Sequence, residues 1–423
     1  MTNIHSYNPQ KRLDNILESD KISEQNKKDV KEFHRDLEDR KLSKSRRDRY
    51  LQSAKQILEY EKNDFRLKDA TEEQIRKINR QIDNSAYYSR DYAQETKKEY
   101  RKFLRLYAKF SEYGTTETED GKIPDKASFV KLTVSEDARD RTDPSKLPKA
   151  EDIKYLCQNL SLRYRALLLT HWDLGTRINE TLRTRIKDHH EEDGKSYIYV
   201  RVNPNQIRDG PKSGRRKCRV KVAAPAIDRW LEEEHPNPED PDAYLFCRSK
   251  DFEGDRGKNE LALTPASYSH FNNKLKEAKQ EEGLDKKVNT HSIRKARITF
   301  LKSNLKINES KVDKRVGHVQ GSRVTRVYTR LDDSDSNNAY GQAYGEENPE
   351  EKESNDLVPL KCQDCGQTNA GYRDRCYRCK GLLEIKEVKE LKKPAARARE
   401  IVWEKLEEEG IAQEIVERTE EEA

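Results

Sequence analysis

The chain has 423 residues, of which 32% are apolar and 39% charged, and a formal net charge of +6. That length accommodates about two or three domains, while the low apolar share assigns much of the chain to solvated surface, linker or tail. No apolar run is long enough to span a bilayer, and the polar start Met1-Thr2-Asn3-Ile4-His5 lacks the apolar stretch of a secretory signal, so the expectation is a cytoplasmic protein without membrane contact.

Helical periodicity dominates the first segment, residues 1–113. Val30, Phe33 and Leu37 form one apolar stripe, and Tyr50, Leu51, Ala54, Ile57 and Leu58 a second. Ile75, Ile78 and Ile82 form a third after the capping-box pattern Thr71-x-x-Gln74, and Tyr100, Phe103, Leu104, Tyr107 and Phe110 a fourth. Four amphipathic helices with cationic outer faces suit a small bundle. Residues 114–149 lose periodicity and carry Gly114, Gly121, Pro124, Pro144 and Pro148, which reads as a linker.

Residues 150–333 read as a mainly α domain with a small β-sheet. Helices are predicted at Ala150 to Asn159, Leu162 to Asp173, Ala224 to Glu234, Pro265 to Glu282 and Thr290 to Asn304. Alternation in Tyr197 to Val200 and in Cys218 to Val222 predicts strands flanking a glycine-containing loop that holds Lys212. A polar, acidic linker occupies 334–358, a cysteine-rich module 359–384, and a charged C-terminal helix 385–423, interrupted near Pro394. The acid clusters Glu346-Glu347 and Glu420-Glu421-Glu422 lie late, which leaves the preceding body more basic than the average and favours a polyanionic partner.

Six residues in the order Arg177, Lys212, His291-x-x-Arg294, Gly317-His318 and Tyr328 have the chemistry to cut and rejoin a DNA phosphodiester without metal. Arg177 and Arg294 are permanent cations whose planar forks hold phosphate oxygens in pairs. A tyrosine hydroxyl, with a reference pKa of ~10, attacks phosphorus only with help from a base and with stabilisation of the developing charge. Any one of these residues alone has a structural explanation: a Tyr in the core, a His at a cap, a Lys in solvent.

Their local contexts, Leu174-Gly175-Thr176-Arg177-Ile178-Asn179-Glu180, Thr290-His291-Ser292-Ile293-Arg294, Val316-Gly317-His318 and Val327-Tyr328-Thr329-Arg330, together resemble the tyrosine recombinase (phage-integrase) family. The resemblance implies a SAM-like core-binding domain that clamps DNA, then a catalytic domain. It assigns the phosphate clamp to Arg177 and Arg294, proton transfer to His291, a second phosphate contact to His318, protonation of the departing 5′ oxygen to Lys212, and nucleophilic attack to Tyr328. Lys217 and Lys221 are nearby alternatives to Lys212, and Glu180 is expected either to buttress Arg177 or to pair with Arg183. Ser292 and Lys295 depart from the common His291 box, and the spacing from His318 to Tyr328 resembles archaeal-type integrases.

The implied activity is site-specific integration through a 3′-phosphotyrosyl intermediate, by a virus- or plasmid-encoded enzyme in a prokaryotic cell. The partners would be double-stranded DNA with specific attachment sites and further copies of the chain, a monomer or dimer when free and a homotetramer on synapsed DNA. A type IB topoisomerase-like relaxing enzyme and a non-catalytic DNA-binding regulator are the alternatives.

Of seven cysteines, Cys362-x-x-Cys365 and Cys376-x-x-Cys379 form two knuckles at tetrahedral-zinc spacing, which predicts a zinc ribbon with a structural metal and no cofactor for catalysis. The polar stretch before it predicts a module independent of the catalytic domain. Cys157, Cys218 and Cys247 are expected to be buried thiols. The pair His189-His190 lacks accompanying ligands at metal spacing and is expected to be exposed.

Overall fold

A computed structural model describes residues 7–61, 65–87, 91–118, 120–133, 144–201, 215–248, 257–318 and 357–383. The chain divides into two compact units, 1–143 and 144–423. Both are mainly helical, and the second contains a small sheet.

The first unit contains α1 (Pro9–Leu17), α2 (Glu24–Asp39), α3 (Lys44–Glu61), α4 (Glu72–Asp83) and α5 (Gln94–Tyr113). The predicted stripes on α2 to α5 turn inward: Phe33 is fully buried and meets Phe103, Tyr107 and Phe110 at centroid distances of 6.0, 5.0 and 5.4 Å. The Thr71–Gln74 capping box forms as expected. Helix α1 was not among the predicted elements. Its signal is Asn8-Pro9, with the Asn8 side chain accepting from Lys11 N at 3.1 Å and proline in the first turn. Part of the expected linker also behaves differently: Ala127 and Val130 are buried in the bundle core, with Ile123 and Phe129 packed against it. A short apolar patch between glycines is thus core, because it needs no helical period to bury four side chains.

The second unit is organised on α7 (Leu162–Leu174), buried along nearly its whole length. Around it pack α6 (Ala150–Gln158), α9 (Ala224–Glu233) and α12 (Thr290–Ser303). The polar residues of α7, Arg163, Thr170, His171 and Asp173, are buried with it, and each is hydrogen-bonded. Two short elements not predicted from sequence, α10 (Lys258–Ala262) and α13 (Glu309–Val316), complete the helical layer with α8 (Ile178–Leu182) and α11 (Tyr268–Glu281). Strands β1 (His189–Glu192), β2 (Lys195–Val200) and β3 (Arg216–Val220) form an antiparallel sheet in the order β1-β2-β3, with Ile198 opposite Cys218. Period-2 alternation on β3 buries Arg216, Cys218 and Val220 and exposes Lys217 and Arg219.

Cys157, Cys218 and Cys247 are buried, and burial pushes the Cys157 and Cys247 thiols up to about 12, consistent with inert packing. His189-His190 is not exposed as expected. The ring of His189 hydrogen-bonds to Ser196 Oγ at 2.9 Å and is lowered to about 4, chiefly by burial, while His190 stacks on Tyr199 at 4.7 Å. Adjacent strand residues have opposite faces, and here both faces are partly covered. No described helix is long and apolar enough to cross a membrane.

Candidate active site

Helix α7 ends at Gly175, in the left-handed region at φ 60°, and the chain re-enters helix α8 with Arg177 as its N-cap residue. This turn presents the Arg177 side chain, 47% exposed, at the edge of the unit. Helix α12 is started by Asn289, whose side chain accepts from His291 N at 3.0 Å and Ser292 N at 2.9 Å. Ser292, the departure from the common motif, returns the bond by accepting from Asn289 N at 2.9 Å. A serine therefore does the work of a capping box that fixes the turn carrying His291. His291 and Arg294 follow one helical turn apart.

The third contributor is the C-terminus of α13, where unpaired carbonyls and the negative end of the helix attract cations. Arg294 Nη1 donates to Val316 O at 2.9 Å and to Gly175 O at 2.6 Å. Arg177 Nη1 donates to Gly317 O at 3.2 Å. Arg294 Nη2 lies 2.7 Å from His318 Nε2. Since arginine has only donors, His318 Nε2 is the acceptor and the ring proton sits on Nδ1, which lies 3.4 Å from the buried Asp313 carboxylate. Arg177, Arg294 and His318 therefore converge on three consecutive residues, 316–318.

Electrostatics follow from this crowding. Burial first, then Arg294 and Arg177, lower His318 to about 4. Desolvation, then Lys295, Arg294, Lys287 and Arg177, hold His291 below its ordinary value. Both imidazoles are neutral at pH 7, so the positive charge of the site resides on the arginines. Such a cluster of cations attracts an anion, and a phosphodiester is an anion of matching geometry.

Lys212 and Tyr328 lie outside the described residues, so the structure brings together four of the six expected side chains. Lys217, the alternative to Lys212, is on the outward face of β3, where it pairs with Glu192 and sits 4.3 Å from the Tyr197 ring centroid. Glu180 buttresses Arg177, forms no ion pair with Arg183 among the described residues, and also holds Arg216. Its Oε2 accepts from Arg177 N at 3.1 Å and from Arg216 Nη2 at 2.8 Å, while Oε1 is 3.6 Å from Arg177 Nη1.

Sequence reasoning missed three supporting residues. Arg216 is one, and strand alternation from Cys218 is the signal that turns it inward. Asp173 is the second: its Oδ2 accepts from the backbone N–H groups of Lys221, Val222 and Ala223, and its Oδ1 meets Arg315 at 3.0 Å, tying α7 to the start of α9 and to α13. His171 is the third, fully buried and lowered to about 4 chiefly by burial. Its Nε2 donates to Thr290 O at 2.7 Å and its Nδ1 is 3.5 Å from Thr181 Oγ1, which meets Thr176 Oγ1 at 2.7 Å. That chain joins the residues beside Arg177 and His291.

The four knuckle cysteines form a separate cluster, their Sγ atoms all within 4.8 Å of one another. Cys362 and Cys379 are 3.4 Å apart and Cys365 and Cys376 3.6 Å. A tetrahedral zinc about 2.3 Å from each sulfur requires sulfurs about 3.8 Å apart, so the set fits one metal ion. Each knuckle closes by a bond back to its first cysteine, Gly366 N to Cys362 O at 3.0 Å and Lys380 N to Cys376 O at 3.1 Å. Both closing residues are left-handed, Gly366 at φ 73° and Lys380 at φ 66°.

This module is not independent of the helices before it. Lys154 on α6 meets Asp374 at 2.8 Å, Arg165 on α7 lies over Tyr372, and Arg229 on α9 over Tyr377. The polar stretch preceding the module says only that the chain can extend, not where the module docks.

Residues 147–335 match the Phage integrase family model. This segment, less than half of the chain, is similar to the tyrosine-recombinase (phage-integrase) family. The chain is accordingly classed as a tyrosine-type site-specific recombinase. Among solved structures, it is similar to the XerH site-specific recombinase bound to palindromic difH substrate in a post-cleavage complex, with 17% identity over 79% of this chain and 94% of that one and a TM-score of 0.50. It is also similar to the Tn1549 transposon integrase in complex with transposon right end DNA, with 13% identity over 75% of this chain and 99% of that one and a TM-score of 0.50. At these identities the structural likeness speaks to the fold. No curated protein sequence matches the chain.

Proposed function

We propose that this recombinase cuts and rejoins double-stranded DNA at specific attachment sites, with Tyr328 as nucleophile. The observation that carries the reading is the convergence of Arg177, Arg294 and His318 on residues 316–318, directly before the segment that contains Tyr328. The two guanidinium groups hold the non-bridging oxygens of the scissile phosphate. The Tyr328 oxygen forms a bond to phosphorus and the bond to the 5′ oxygen breaks; neutral His291 assists removal of the tyrosine proton, and Lys212 delivers one to the leaving oxygen. The 3′-phosphotyrosyl link keeps the bond energy, so a second 5′-hydroxyl attacks without ATP or a catalytic metal.

His318 has a double role in this reading. Without DNA its Nε2 is an acceptor that orients Arg294; phosphate binding by Arg294 frees that nitrogen, which becomes a second contact once it carries a proton and donates to a phosphate oxygen. The first unit, with its SAM-like helical clamp, grips the duplex, and copies assemble into a homotetramer on two synapsed sites. Cys362, Cys365, Cys376 and Cys379 hold a structural zinc; with four thiolates the metal has no open position for water, so it braces the ribbon and leaves the strand chemistry to the side chains. The archaeal-type spacing before Tyr328 supports an integrase carried by a virus or plasmid.

The test is strand exchange between two labelled duplexes carrying the direct repeats that flank the gene. Recombinant joints together with a protein–DNA adduct support the reading. Relaxation of one supercoiled plasmid without joints would favour a topoisomerase, and DNA binding without any adduct a regulator.

A further inference from the structure

We infer that Arg216 is a positioning residue for strand cleavage, acting through Arg177 and the α13 terminus; this rests on the recombinase reading. Arg216 opens β3, four residues after Lys212 in the chain. It is 8% exposed, so it does not reach a phosphate at the surface. Its guanidinium spans two other elements. Nη2 donates to Glu180 Oε2 at 2.8 Å on α8, and Nε donates to Arg315 O at 2.9 Å on α13.

Each of those contacts is one step from the phosphate clamp. The same Glu180 oxygen accepts the backbone N–H of Arg177 at 3.1 Å. Arg315 is followed by Val316 and Gly317, whose carbonyls receive Arg294 and Arg177. One buried fork thus sets the distance between the turn that presents Arg177 and the helix end that both arginines use.

Gly317 shows how close the packing is. Its φ is 73°, and a Cβ at this position would lie 2.8 Å from Arg216 Cζ and Nη1. Any side chain there would displace the guanidinium, so the glycine of the Gly317-His318 motif leaves room for Arg216 as well as supplying a left-handed turn. Nη1 itself is buried and has no hydrogen-bond partner among the described residues. The other two nitrogens hold two acceptors at once, a geometry that lysine, a single point charge, cannot reproduce.

The full-length protein is tested in single-turnover cleavage of a nicked duplex built on the direct repeats flanking its gene, at saturating DNA. One substrate has an ordinary scissile phosphodiester and the other a neutral methylphosphonate at that position. Arg216→Met and Arg216→Lys are expected to bind DNA like wild type, yet form the covalent adduct on the order of 100-fold more slowly on the phosphodiester, the cost of a misplaced catalytic group. On the methylphosphonate the deficit shrinks to about threefold or less, because the arginines that Arg216 positions have no charge left to neutralise.

A purely structural role predicts equal deficits on both substrates, and that result overturns the inference. So does an adduct rate within about threefold of wild type on the phosphodiester. If Arg216→Met strands Glu180 and fails to fold, Arg216→Lys keeps a cation beside that carboxylate and decides the question alone; failure of both to fold counts against a positioning role and for a structural one. Wild-type protein giving no adduct on either substrate rejects the recombinase reading itself, a result distinct from all of these.

Discussion

The cation cluster and the cysteine cluster of the second unit are opposite solutions to bringing reactive groups together. Cys362 to Cys379 converge within one short stretch, through two knuckles closed by local backbone bonds. Arg177, Arg294 and His318 converge from separate helices and meet only because α13 ends beside Gly175. Four thiolates repel one another unless a metal joins them, so a metal held there would be part of that fold. The arginines are tethered by carbonyls, by Glu180 and by helix ends, and remain available for an anion that comes and goes. Local convergence suits a permanent ligand, and tertiary convergence suits a substrate.

The contrast breaks first at the nucleophile. Tyr328→Phe is expected to retain duplex binding and to form no covalent adduct on a nicked suicide substrate, a complete loss from one hydroxyl. A denaturant-resistant adduct with the Phe variant would remove Tyr328 from the site.

A smaller but more discriminating effect separates the acid from the clamp. Lys212→Ala and Arg177→Ala should each slow cleavage by roughly 10²–10⁴-fold. Sulfur in place of the bridging 5′ oxygen should rescue Lys212→Ala alone, since a thiolate, with a conjugate-acid pKa of about 8 to 9, leaves unprotonated. Equal defects of Lys212→Ala on the two substrates would reassign the acid.

Acidification probes the tertiary network that the cysteine cluster lacks. The folded-state value of His171 is depressed to about 4, so its stability contribution is present above the unfolded value of 6.5 and is lost as pH falls toward 4. At 1.36 kcal/mol per unit, that window withdraws up to about 3 kcal/mol. Thermal melts of wild type should fall across it more steeply than those of His171→Gln; parallel curves would show that His171 titrates normally.

The mildest effect is remote. Chelating the metal should unfold the ribbon and also lower the melting point of the helical core by a few degrees, because one ion pair and two arginine–tyrosine contacts, together about 1–2 kcal/mol, are lost. Elemental analysis should find about one zinc per chain. A core transition unmoved by chelator would mean the module is carried without bracing its neighbours.

Where sequence and structure diverge, the reasons are physical. The helices on α2 to α5, α7 and α12 follow stripes or caps that a one-dimensional pattern records, and the order of the catalytic boxes carried the family. Helices α8 and α13 are too short to display a period, yet Arg177 caps the start of one and Gly317, beside His318, caps the end of the other. The segment around Ala127 looks like linker because its burial depends on a distant bundle surface. Lys212 and Tyr328 rest on sequence order alone.

By itself the sequence determined which residues are permanent cations, hydroxyls or thiols and where the striped helices α2 to α5, α7 and α12 lie, because charge, pKa and periodicity are properties of side chains and their near neighbours. Only the tertiary structure decided that Arg216 faces inward to Glu180, that His318 accepts from Arg294, and that the cysteine module rests on α6, α7 and α9. Those depend on distances between segments far apart in the chain, set by how α7 is buried and where α13 stops.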